Sequence, residues 1–429
     1  MSKVIIVGAG IIGLSSAYFL KKRGMEVVLI DKGVPGGACT SGNMGWVAPS
    51  LSEPVPAPGL VKTSLKWMLK KDSPLYIKPT AVPSLSNWLF QFWKFCNKES
   101  YKASFQAGLE LNRKTLQLFD ELEETEEIHF ESYRKGLLNL FLDESSIEKR
   151  IEELKPAQQI GVPKPEVKTR DELIKMEPTI SEKVKGGVYL PAERHVRPES
   201  FSKGLHDWLI NNGVTILQEY EITDFVVKGG SIAAVRTGNE LYEGDEFLVS
   251  AGAWVGLLMK KVGKHLPITA GKGYSLTISS PSFNIQQPVY LGDSKVAISP
   301  FKNAIRIGGT MELSGINTHF DERRLSNIRQ SFNQYFGKPI SGKEQKWVGM
   351  RPMTPDGLPV LGKLEGYENL YVATGHAMSG IAMSLATGVI MSELISEGKT
   401  DIPIQPFAPE RFSLKGNTAG SGKEKTVVS

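Results

Sequence analysis

The spacing of three glycines near the start of the sequence predicts a phosphate-binding turn: Gly8, Gly10 and Gly13. In such a turn the first glycine permits a tight bend, the second lets the backbone approach a pyrophosphate, and the third lets a helix pack closely on a strand. The N–H groups at the N-terminus of the following helix attract the phosphates. Asp31 would accept hydrogen bonds from ribose hydroxyls, and its carboxylate disfavours the 2′-phosphate of NADP. These residues predict a dinucleotide site for either NAD or FAD.

Apolar segments flank this turn in the order that the dinucleotide-binding pattern requires. Residues 4–7 predict a buried strand, residues 14–20 predict a helix, and residues 27–30 predict a second buried strand. This context distinguishes a dinucleotide site from an accidental glycine pattern. The same stretch contains further candidate cofactor-binding residues, which are Ile11, Ile12 and Lys32.

A second candidate for chemistry is Arg351, which lies between Met350 and Pro352 in an apolar segment. A guanidinium held in such a segment can bind a carboxylate through two hydrogen bonds. The alternative is a buried structural ion pair with Asp356 as the partner. On the residues alone, neither interpretation is favoured.

A glycine-containing turn near the end of the sequence predicts another anion-binding helix N-terminus. Residues 370–374 predict a strand, residues 375–380 a turn, and residues 381–394 a long apolar helix with Ser379 as its cap. A helix N-terminus would stabilise the negative charge of a reduced flavin. Two such turns suit an elongated cofactor and favour FAD over NAD. Since no second nucleotide-binding glycine pattern is present, electrons would leave to oxygen, a quinone or a protein.

Residues 33–60 are rich in glycine, proline and serine and predict a long loop directly after the second strand. A long loop at this position is usually functional when it is ordered. Its small residues, with Ser41 and Asn43, would let backbone N–H groups approach a flat ring. A plain surface loop is the alternative.

Residues 61–127 predict helices, and residues 88–95 within them are unusually aromatic. An exposed aromatic patch would indicate contact with a membrane or with an electron-accepting partner. Packing of the helix against its own domain is the commoner explanation, and we favour it.

The length of 429 residues predicts two domains. Residues 268–309 predict consecutive strands, which indicate a largely antiparallel sheet distinct from the βαβ start. The predicted fold class is therefore α/β, with a Rossmann-type FAD-binding domain and a second α+β domain for the substrate. Residues 413–429 are small and polar and predict a disordered tail.

The composition, with 41% hydrophobic and 23% charged residues, is that of an ordinary globular protein. A net charge of +5 without an arginine-rich stripe argues against nucleic acid as a partner. No apolar run reaches the roughly 18 residues of a spanning helix. Cys39 and Cys96 provide no disulfide framework, which predicts a cytoplasmic protein, with peripheral contact at the inner face of the cell membrane as an alternative. No metal-ligand spacing or nucleophile motif is present.

Five segments together resemble the D-amino-acid oxidase superfamily of flavoproteins, and most closely its bacterial D-amino-acid dehydrogenases: residues 8–31, 250–254, 271–277, 349–357 and 374–376. The resemblance implies an extended FAD whose isoalloxazine lies between two domains. The implied FAD-binding domain comprises residues 1–75, 186–266 and 344–412. The implied substrate domain comprises residues 76–185 and 267–343.

The resemblance also implies roles for individual residues. Arg351 would anchor the carboxylate of the substrate, with Tyr274 beside it, and these are the catalytic candidates. The residues implied to surround FAD are Gly8, Gly10, Ile11, Ile12, Gly13, Asp31, Lys32, Ser41, Asn43, Gly45, Ile222, Ala251, Gly252, Trp254, Arg351, Gly375, His376, Gly380 and Ile381. Relatives that attach FAD covalently have a cysteine near the position of Met350. This sequence has no cysteine there, which implies that FAD is bound non-covalently.

The implied reaction is oxidation of a D-amino acid, with hydride transfer from the α carbon to the flavin and hydrolysis to a 2-oxo acid. The sequence departs from the family pattern at residues 41–45 and 377–381, which border the flavin and the substrate pocket. The alternatives are therefore a narrower amine (cis-4-hydroxy-D-proline, glycine or sarcosine) or a flavoprotein subunit that is active only within a complex. Whether the enzyme is an oxidase or a dehydrogenase stays open.

Overall fold

The computed structural model describes residues 2–60, 75–124 and 128–412 of the chain. Its strands are, in chain order, β1 (Lys3–Val7), β2 (Glu26–Asp31), β3 (Trp46–Val47), β4 (Leu75–Ile77), β5 (Ser132–Tyr133), β6 (Leu137–Phe141), β7 (Glu166–Thr169), β8 (Gly186–Leu190), β9 (Arg194–Val196), β10 (Thr215–Gln218), β11 (Asp224–Lys228), β12 (Ser231–Thr237), β13 (Glu240–Glu243), β14 (Glu246–Val249), β15 (Thr269–Ser279), β16 (Val289–Leu291), β17 (Val296–Phe301), β18 (Ala304–Leu313), β19 (Lys343–Met353), β20 (Val360–Lys363) and β21 (Leu370–Thr374). Its helices are α1 (Ile11–Lys22), α2 (Val82–Phe95), α3 (Lys98–Asn112), α4 (Thr115–Glu124), α5 (Ser145–Leu154), α6 (Arg170–Met176), α7 (Pro198–Asn211), α8 (Val255–Lys261), α9 (Glu322–Phe336) and α10 (Gly380–Glu397).

A largely parallel sheet, here called the central sheet, has the strand order β10-β2-β1-β14-β21-β20. Its strands pair in parallel except at the β20–β21 edge. The inner strands β1, β2, β14 and β21 are apolar and buried along most of their length, as in α/β sheets whose two faces are covered, whereas the edge strand β10 is half-buried to exposed. The carboxyl ends of β1 and β21 lead into the two glycine-containing turns. Both turns therefore lie along one edge of the central sheet.

A second, larger sheet has the order β19-β15-β18-β17-β16-β6-β8-β7, with β4 beside β18. Its strands pair antiparallel except β16 with β6 and β4 with β18. The predicted fold class, a Rossmann-type domain joined to a domain with a largely antiparallel sheet, is confirmed. Smaller sheets, β11-β12-β13 and β3-β9-β5, flank these two.

The predicted domain boundaries do not follow the two sheets. β8 and β19 are strands of the large sheet, where β8 pairs with β6 and β19 pairs with β15. They nevertheless lie in residues 186–266 and 344–412, which are predicted to belong to the FAD-binding domain. In turn, Leu111 and Phe119 of the predicted substrate domain pack in the core that contains α1 and α10. Strands at the junction pair across the predicted boundaries, so the pairing does not separate the two domains. The division into domains stays a prediction.

Helix α10 is the long apolar helix that the sequence predicts. By length and composition it could cross a membrane, so the expectation that no segment reaches that length was wrong. However, 67% of it is buried within the fold. It packs so closely on α1 that a Cβ added at Gly388 would lie 2.7 Å from the carbonyl oxygen of Ser15. The helix is therefore a core element of the fold.

The helices predicted over residues 61–127 are found in part. α2, α3 and α4 fall in this range, whereas β4 is a strand. Residues 61–74 and 125–127 lie outside the described residues, as does the tail predicted to be disordered at residues 413–429.

Helix α2 divides the aromatic residues between two environments. Trp88 is 7% exposed and donates a hydrogen bond from Nε1 to the Pro267 carbonyl oxygen at 3.0 Å. On the opposite side, Phe90 is 50% exposed and Trp93 is 57% exposed. Their ring centroids lie 5.9 Å apart. One face of α2 packs against the protein, as the favoured alternative predicted, and the other is exposed among the described residues, as the exposed-patch alternative predicted. Each alternative therefore describes one face of the helix.

Candidate functional site

The first glycine turn brings the N-terminus of α1 close to the end of β1. Gly8 has φ +109°, a value that side chains other than hydrogen disfavour. A Cβ added at Gly13 would lie 1.9 Å from the Gly8 carbonyl oxygen, so helix and turn can approach only through a glycine. Gly10 is the N-cap and receives no side-chain cap, and no acidic residue lies in the first turn. This helix N-terminus is suited to bind an anion.

Asp31 is oriented by the backbone around the turn. Its Oδ2 accepts a hydrogen bond from the Ala9 N–H at 2.6 Å, and its Oδ1 accepts one from the Gly33 N–H at 2.8 Å. The carboxylate is therefore held at the mouth of the turn, where a ribose would lie. Beside it, the Lys32 ammonium lies 4.0 Å from the ring centroid of Trp254.

A cavity of about 560 Å³ begins beside Asp31 and ends at the second glycine turn. The predicted cofactor residues that line it are Gly8, Gly10, Ile11, Ile12, Asp31, Lys32, Asn43, Ile222, Ala251, Gly252, Trp254, His376, Gly380 and Ile381. The predicted residues outside its lining are Gly13, Ser41, Gly45, Gly375, Arg351 and Tyr274. Most of the predicted set is therefore brought to one elongated cavity, although it comes from both ends of the chain.

The loop after β2 closes one side of this cavity, and Asn43 fixes it. The Asn43 Nδ2 donates a hydrogen bond to the Met378 carbonyl oxygen at 3.1 Å, and its Oδ1 accepts one from the Gly45 N–H at 2.8 Å. The buried Arg306 donates from Nη1 to the Asn43 carbonyl oxygen at 2.7 Å. Ser41 does not reach the cavity, because its hydroxyl donates to the Ala38 carbonyl oxygen at 3.3 Å.

The second glycine turn places His376 on the cavity wall. His376 is 3% exposed, and its Nε2 lies 2.9 Å from the Thr387 hydroxyl. Burial lowers the pKa of His376 to about 3, so the imidazole is neutral. Its Nδ1 has no hydrogen-bond partner among the described residues. Ser379 occupies the N-cap of α10 as predicted, but its side chain makes no cap hydrogen bond, so the helix N-terminus lacks that internal partner.

Arg351 is not part of the structural ion pair that the sequence left open. Asp356 instead accepts hydrogen bonds from Arg411, from Nε at 2.8 Å and from Nη2 at 3.3 Å. Arg351 donates from Nη1 to the Thr310 carbonyl oxygen at 2.7 Å. No carboxylate of a described residue forms an ion pair with it. Burial lowers the pKa of Arg351, and the opposing electrostatic influence comes from the Cys39 thiol.

Tyr274 does not lie beside Arg351. Tyr274 is fully buried, and its hydroxyl donates to Glu312 Oε2 at 2.9 Å. Arg351 is paired with Gly271 in the adjacent strand, and side chains three residues further along β15 point to the other face of the sheet. The prediction of a tyrosine next to the arginine is therefore wrong. Burial, and secondly the hydrogen bond to the Glu312 carboxylate, raise the pKa of Tyr274.

Comparison with protein-family models gives a match of residues 3–394 to DAO, described as FAD dependent oxidoreductase. The chain belongs to the DAO family of FAD-dependent oxidoreductases. It is 30% identical over 414 residues to a D-amino acid dehydrogenase of Vibrio vulnificus, covering 94% of this chain and 97% of the relative. It is 31% identical over 417 residues to a D-amino acid dehydrogenase of Allorhizobium ampelinum, covering 96% of this chain and 99% of the relative.

Solved structures share the DAO-family fold. The glycine oxidase from Geobacillus kaustophilus superposes with a TM-score of 0.76 at 22% identity, covering 96% of this chain and 99% of that one. The L-proline dehydrogenase from P. horikoshii superposes with a TM-score of 0.74 at 19% identity, covering 96% of this chain and 97% of that one. At these identities the structures establish the fold alone.

The residues that line the cavity are chemically suited to FAD. The cavity is lined by the glycine N-cap of α1, by Asp31 with its oriented carboxylate, and by His376, whose Nδ1 has no partner among the described residues. A Cβ at Gly10 would have no neighbour closer than the Thr40 hydroxyl at 3.7 Å, so the missing side chain leaves room for a ligand. The residues present can hold an elongated dinucleotide.

Several lining residues of the DAO-family site were not predicted from the sequence. Thr40 accepts a hydrogen bond from the Ile11 N–H at 3.0 Å and thereby ties the loop to the helix N-terminus. The others include Cys39, Tyr220, Ser250, Leu257, Pro352 and Thr374. Thr40 had a usable signal, because it lies in the loop that was predicted to be functional. Leu257 had none, because only the packing of α8 brings it to the cavity.

Proposed function

We propose that this DAO-family enzyme oxidises D-amino acids to 2-oxo acids. The observation that carries the proposal is the Arg351 guanidinium, which has no carboxylate partner among the described residues and belongs to a strand that borders the cofactor cavity. Its chain neighbours Met350 and Pro352 line that cavity. A half-buried cation without an acidic protein partner is suited to bind an anionic group of a ligand.

In this proposal Arg351 binds the α-carboxylate through the guanidinium N–H groups that Thr310 does not occupy. The carboxylate fixes one end of the substrate, so that the α carbon is presented to the cavity. Bound FAD supplies the hydride acceptor for the hydrogen of the α carbon. The neutral His376 lines the cavity and adds no charge there. Water then hydrolyses the imino acid to the 2-oxo acid and ammonia.

The preference for the D enantiomer rests on the names of the relatives that match at 30% and 31% identity over most of the chain. The alternative is a narrower substrate, such as glycine, sarcosine or cis-4-hydroxy-D-proline; a glycine oxidase shares the fold, which is compatible with it. Both alternatives use Arg351 in the same way, because all of these substrates carry a carboxylate.

We also propose that FAD is bound without a covalent link. Cys39 is the described cysteine that lines the cavity, and it lies beside the backbone of Met350. Burial raises the pKa of the Cys39 thiol to about 12. A protonated thiol is a poor nucleophile, so Cys39 is not suited to attach the flavin.

A second proposal concerns the electron acceptor. The exposed face of α2, with Phe90, Trp93 and the Lys94 ammonium 4.6 Å from the Phe90 ring centroid, is of the kind that lies at a membrane interface. We favour an acceptor that is reached there, a quinone or a protein, over oxygen. Substitution of both aromatic residues by Ser should reduce turnover with membrane vesicles and leave turnover with a soluble dye unchanged. Rapid peroxide formation in air would instead favour an oxidase.

Anaerobic bleaching of the flavin absorbance by a panel of amines tests the proposed function. D-amino acids with small apolar side chains should bleach it, whereas their L enantiomers should not. Bleaching only by glycine, sarcosine or a hydroxyproline would favour the narrower substrate. Bound FAD that no amine reduces would favour a subunit that works only within a complex.

A further inference from the structure

The guanidinium of Arg351 lies directly on a glycine of the neighbouring strand. Arg351 of β19 pairs with Gly271 of β15, and Gly273 is on the same face of the sheet. A Cβ added at Gly273 would lie 2.3 Å from the Arg351 Cζ and 2.4 Å from its Nη2. A side chain at position 273 would displace the guanidinium from this place.

Thr310 holds the same guanidinium from the other side. The pairing of β15 with β18 shifts register between Lys272 and Tyr274, and Thr310 has φ +60° within this irregular stretch. This left-handed conformation is unfavourable for a β-branched residue. The Thr310 carbonyl oxygen accepts the hydrogen bond from Arg351 Nη1 at 2.7 Å, while its own hydroxyl has no partner among the described residues. The strained backbone of Thr310 thus positions its carbonyl group for the hydrogen bond to Arg351, whereas the Thr310 side chain makes no hydrogen bond among the described residues.

The surroundings leave the charge of Arg351 uncompensated. Among the described residues the guanidinium has no acidic partner, and the group that influences it electrostatically is the Cys39 thiol. Since burial keeps this thiol protonated at neutral pH, it does not neutralise the arginine. The remaining N–H groups of the guanidinium are therefore available to an anion in one fixed orientation.

We propose that Gly273 and Thr310 form a preorganised seat for Arg351 and set the affinity of the enzyme for the carboxylate of its substrate. This inference rests on the proposed function, in which Arg351 binds that carboxylate. Gly273 and Thr310 are positioning residues, since they act through the arginine. A guanidinium that is already oriented loses little conformational freedom when the carboxylate binds, so disturbing the seat should weaken binding more than it slows the chemical step.

Gly273→Ala tests the seat, and Gly271→Ala is the matched control. Gly271 lies on the same strand and face, but the atoms nearest to its added Cβ would belong to Met353, at 2.7 Å, and Met311, and not to the guanidinium. For Gly273→Ala we expect at least about a tenfold rise in the Kd of benzoate or acetate, read from the flavin absorption, and a similar rise in KM. We expect kcat to stay within about threefold, and Gly271→Ala to stay within about twofold in all three quantities.

A double-mutant cycle with Arg351→Leu separates this role from a general packing defect. If the alanine acts by displacing the guanidinium, Gly273→Ala adds no further loss of carboxylate affinity in the Arg351→Leu background. The thermal midpoint that Gly273→Ala lowers should also be restored there, because the clashing group is absent. This readout stays informative even if the single variant folds poorly.

Thr310→Gly tests the role assigned to the carbonyl group. Glycine tolerates the left-handed conformation, so this variant should keep the carboxylate affinity and gain thermal stability. A tenfold loss of affinity would show that the side chain of Thr310, and not its carbonyl, acts on the ligand.

The outcomes distinguish the seat from the proposed function. Unchanged carboxylate affinity in a folded, FAD-containing Gly273→Ala protein would overturn the seat, as would losses that simply add in the double variant. Unchanged affinity in Arg351→Leu would instead overturn the role of Arg351 in the proposed function itself.

Discussion

The side-chain amide of Asn43 donates a hydrogen bond to the main-chain oxygen of Met378 at 3.1 Å, across 335 positions of sequence. The first residue belongs to the loop after β2, and the second belongs to the turn before α10. Arg306 donates to the Asn43 carbonyl oxygen at 2.7 Å and also to Thr277 Oγ1 at 2.9 Å. Through this chain of hydrogen bonds the large sheet, the loop and the turn enclose one end of the cofactor cavity.

Asn43→Ala should weaken FAD binding without unfolding the protein. The substitution removes the side-chain hydrogen bonds to Met378 and Gly45, so the loop loses its attachment to the turn. We expect about a tenfold higher Kd for FAD, measured by titrating the apoprotein and following flavin fluorescence. An unchanged Kd in Asn43→Ala would mean that other contacts determine the position of the loop.

Alanine at two glycines of the first turn should weaken FAD binding in both cases but lower the stability of the fold in only one. At Gly13 the added Cβ would lie 1.9 Å from the Gly8 carbonyl oxygen, so Gly13→Ala should lower the thermal midpoint and lose FAD. At Gly10 the nearest atom would be 3.7 Å away, so Gly10→Ala should fold normally and bind FAD at least about tenfold more weakly. Calorimetry and FAD titration of both variants would check this. Equal destabilisation of the two would contradict it.

Glu193 predicts a pH dependence of stability. It is 1% exposed, and burial raises its pKa from 4.5 to about 7. Between these pH values the folded state binds this proton more tightly than the unfolded chain does, so the free energy of unfolding falls as the pH rises. The full loss corresponds to roughly 3 kcal/mol above the folded-state pKa.

Glu193→Gln removes this titration while keeping an acceptor for the Ser50 N–H, which lies 3.2 Å from Oε1. Relative to wild type, the variant should gain stability at about pH 8 and gain little at about pH 4.5. Denaturant unfolding at both pH values measures the difference. An identical pH slope in the two proteins would show that Glu193 is not the responsible group.

Local patterns predicted the parts of the molecule whose contacts are local. The turn from Gly8 to Gly13 and the helix α10 depend on residues that are adjacent in the sequence or one helical turn apart, and both were found. The division of the aromatic helix could not be predicted, because its periodicity does not say whether the face with Trp93 meets another element.

Contacts over long sequence separation explain the errors. Asp356 is paired with Arg411, 55 positions away, so Arg351 was left available. Arg150 of α5 is buried and paired with Glu53, 97 positions away, which the charge pattern of that helix does not reveal. The face on which Tyr274 lies depends on strand alternation relative to β19, which the sequence of one strand does not reveal.

Anaerobic reduction by D-alanine, compared between wild type and Arg351→Leu, is the decisive measurement for the proposed role of Arg351. We expect D-alanine to bleach the wild-type flavin and L-alanine to leave it oxidised. We expect Arg351→Leu to retain its FAD but to need at least about a hundredfold more D-alanine for half-maximal reduction. Equal reduction of both proteins at the same D-alanine concentration would show that Arg351 does not bind the substrate carboxylate.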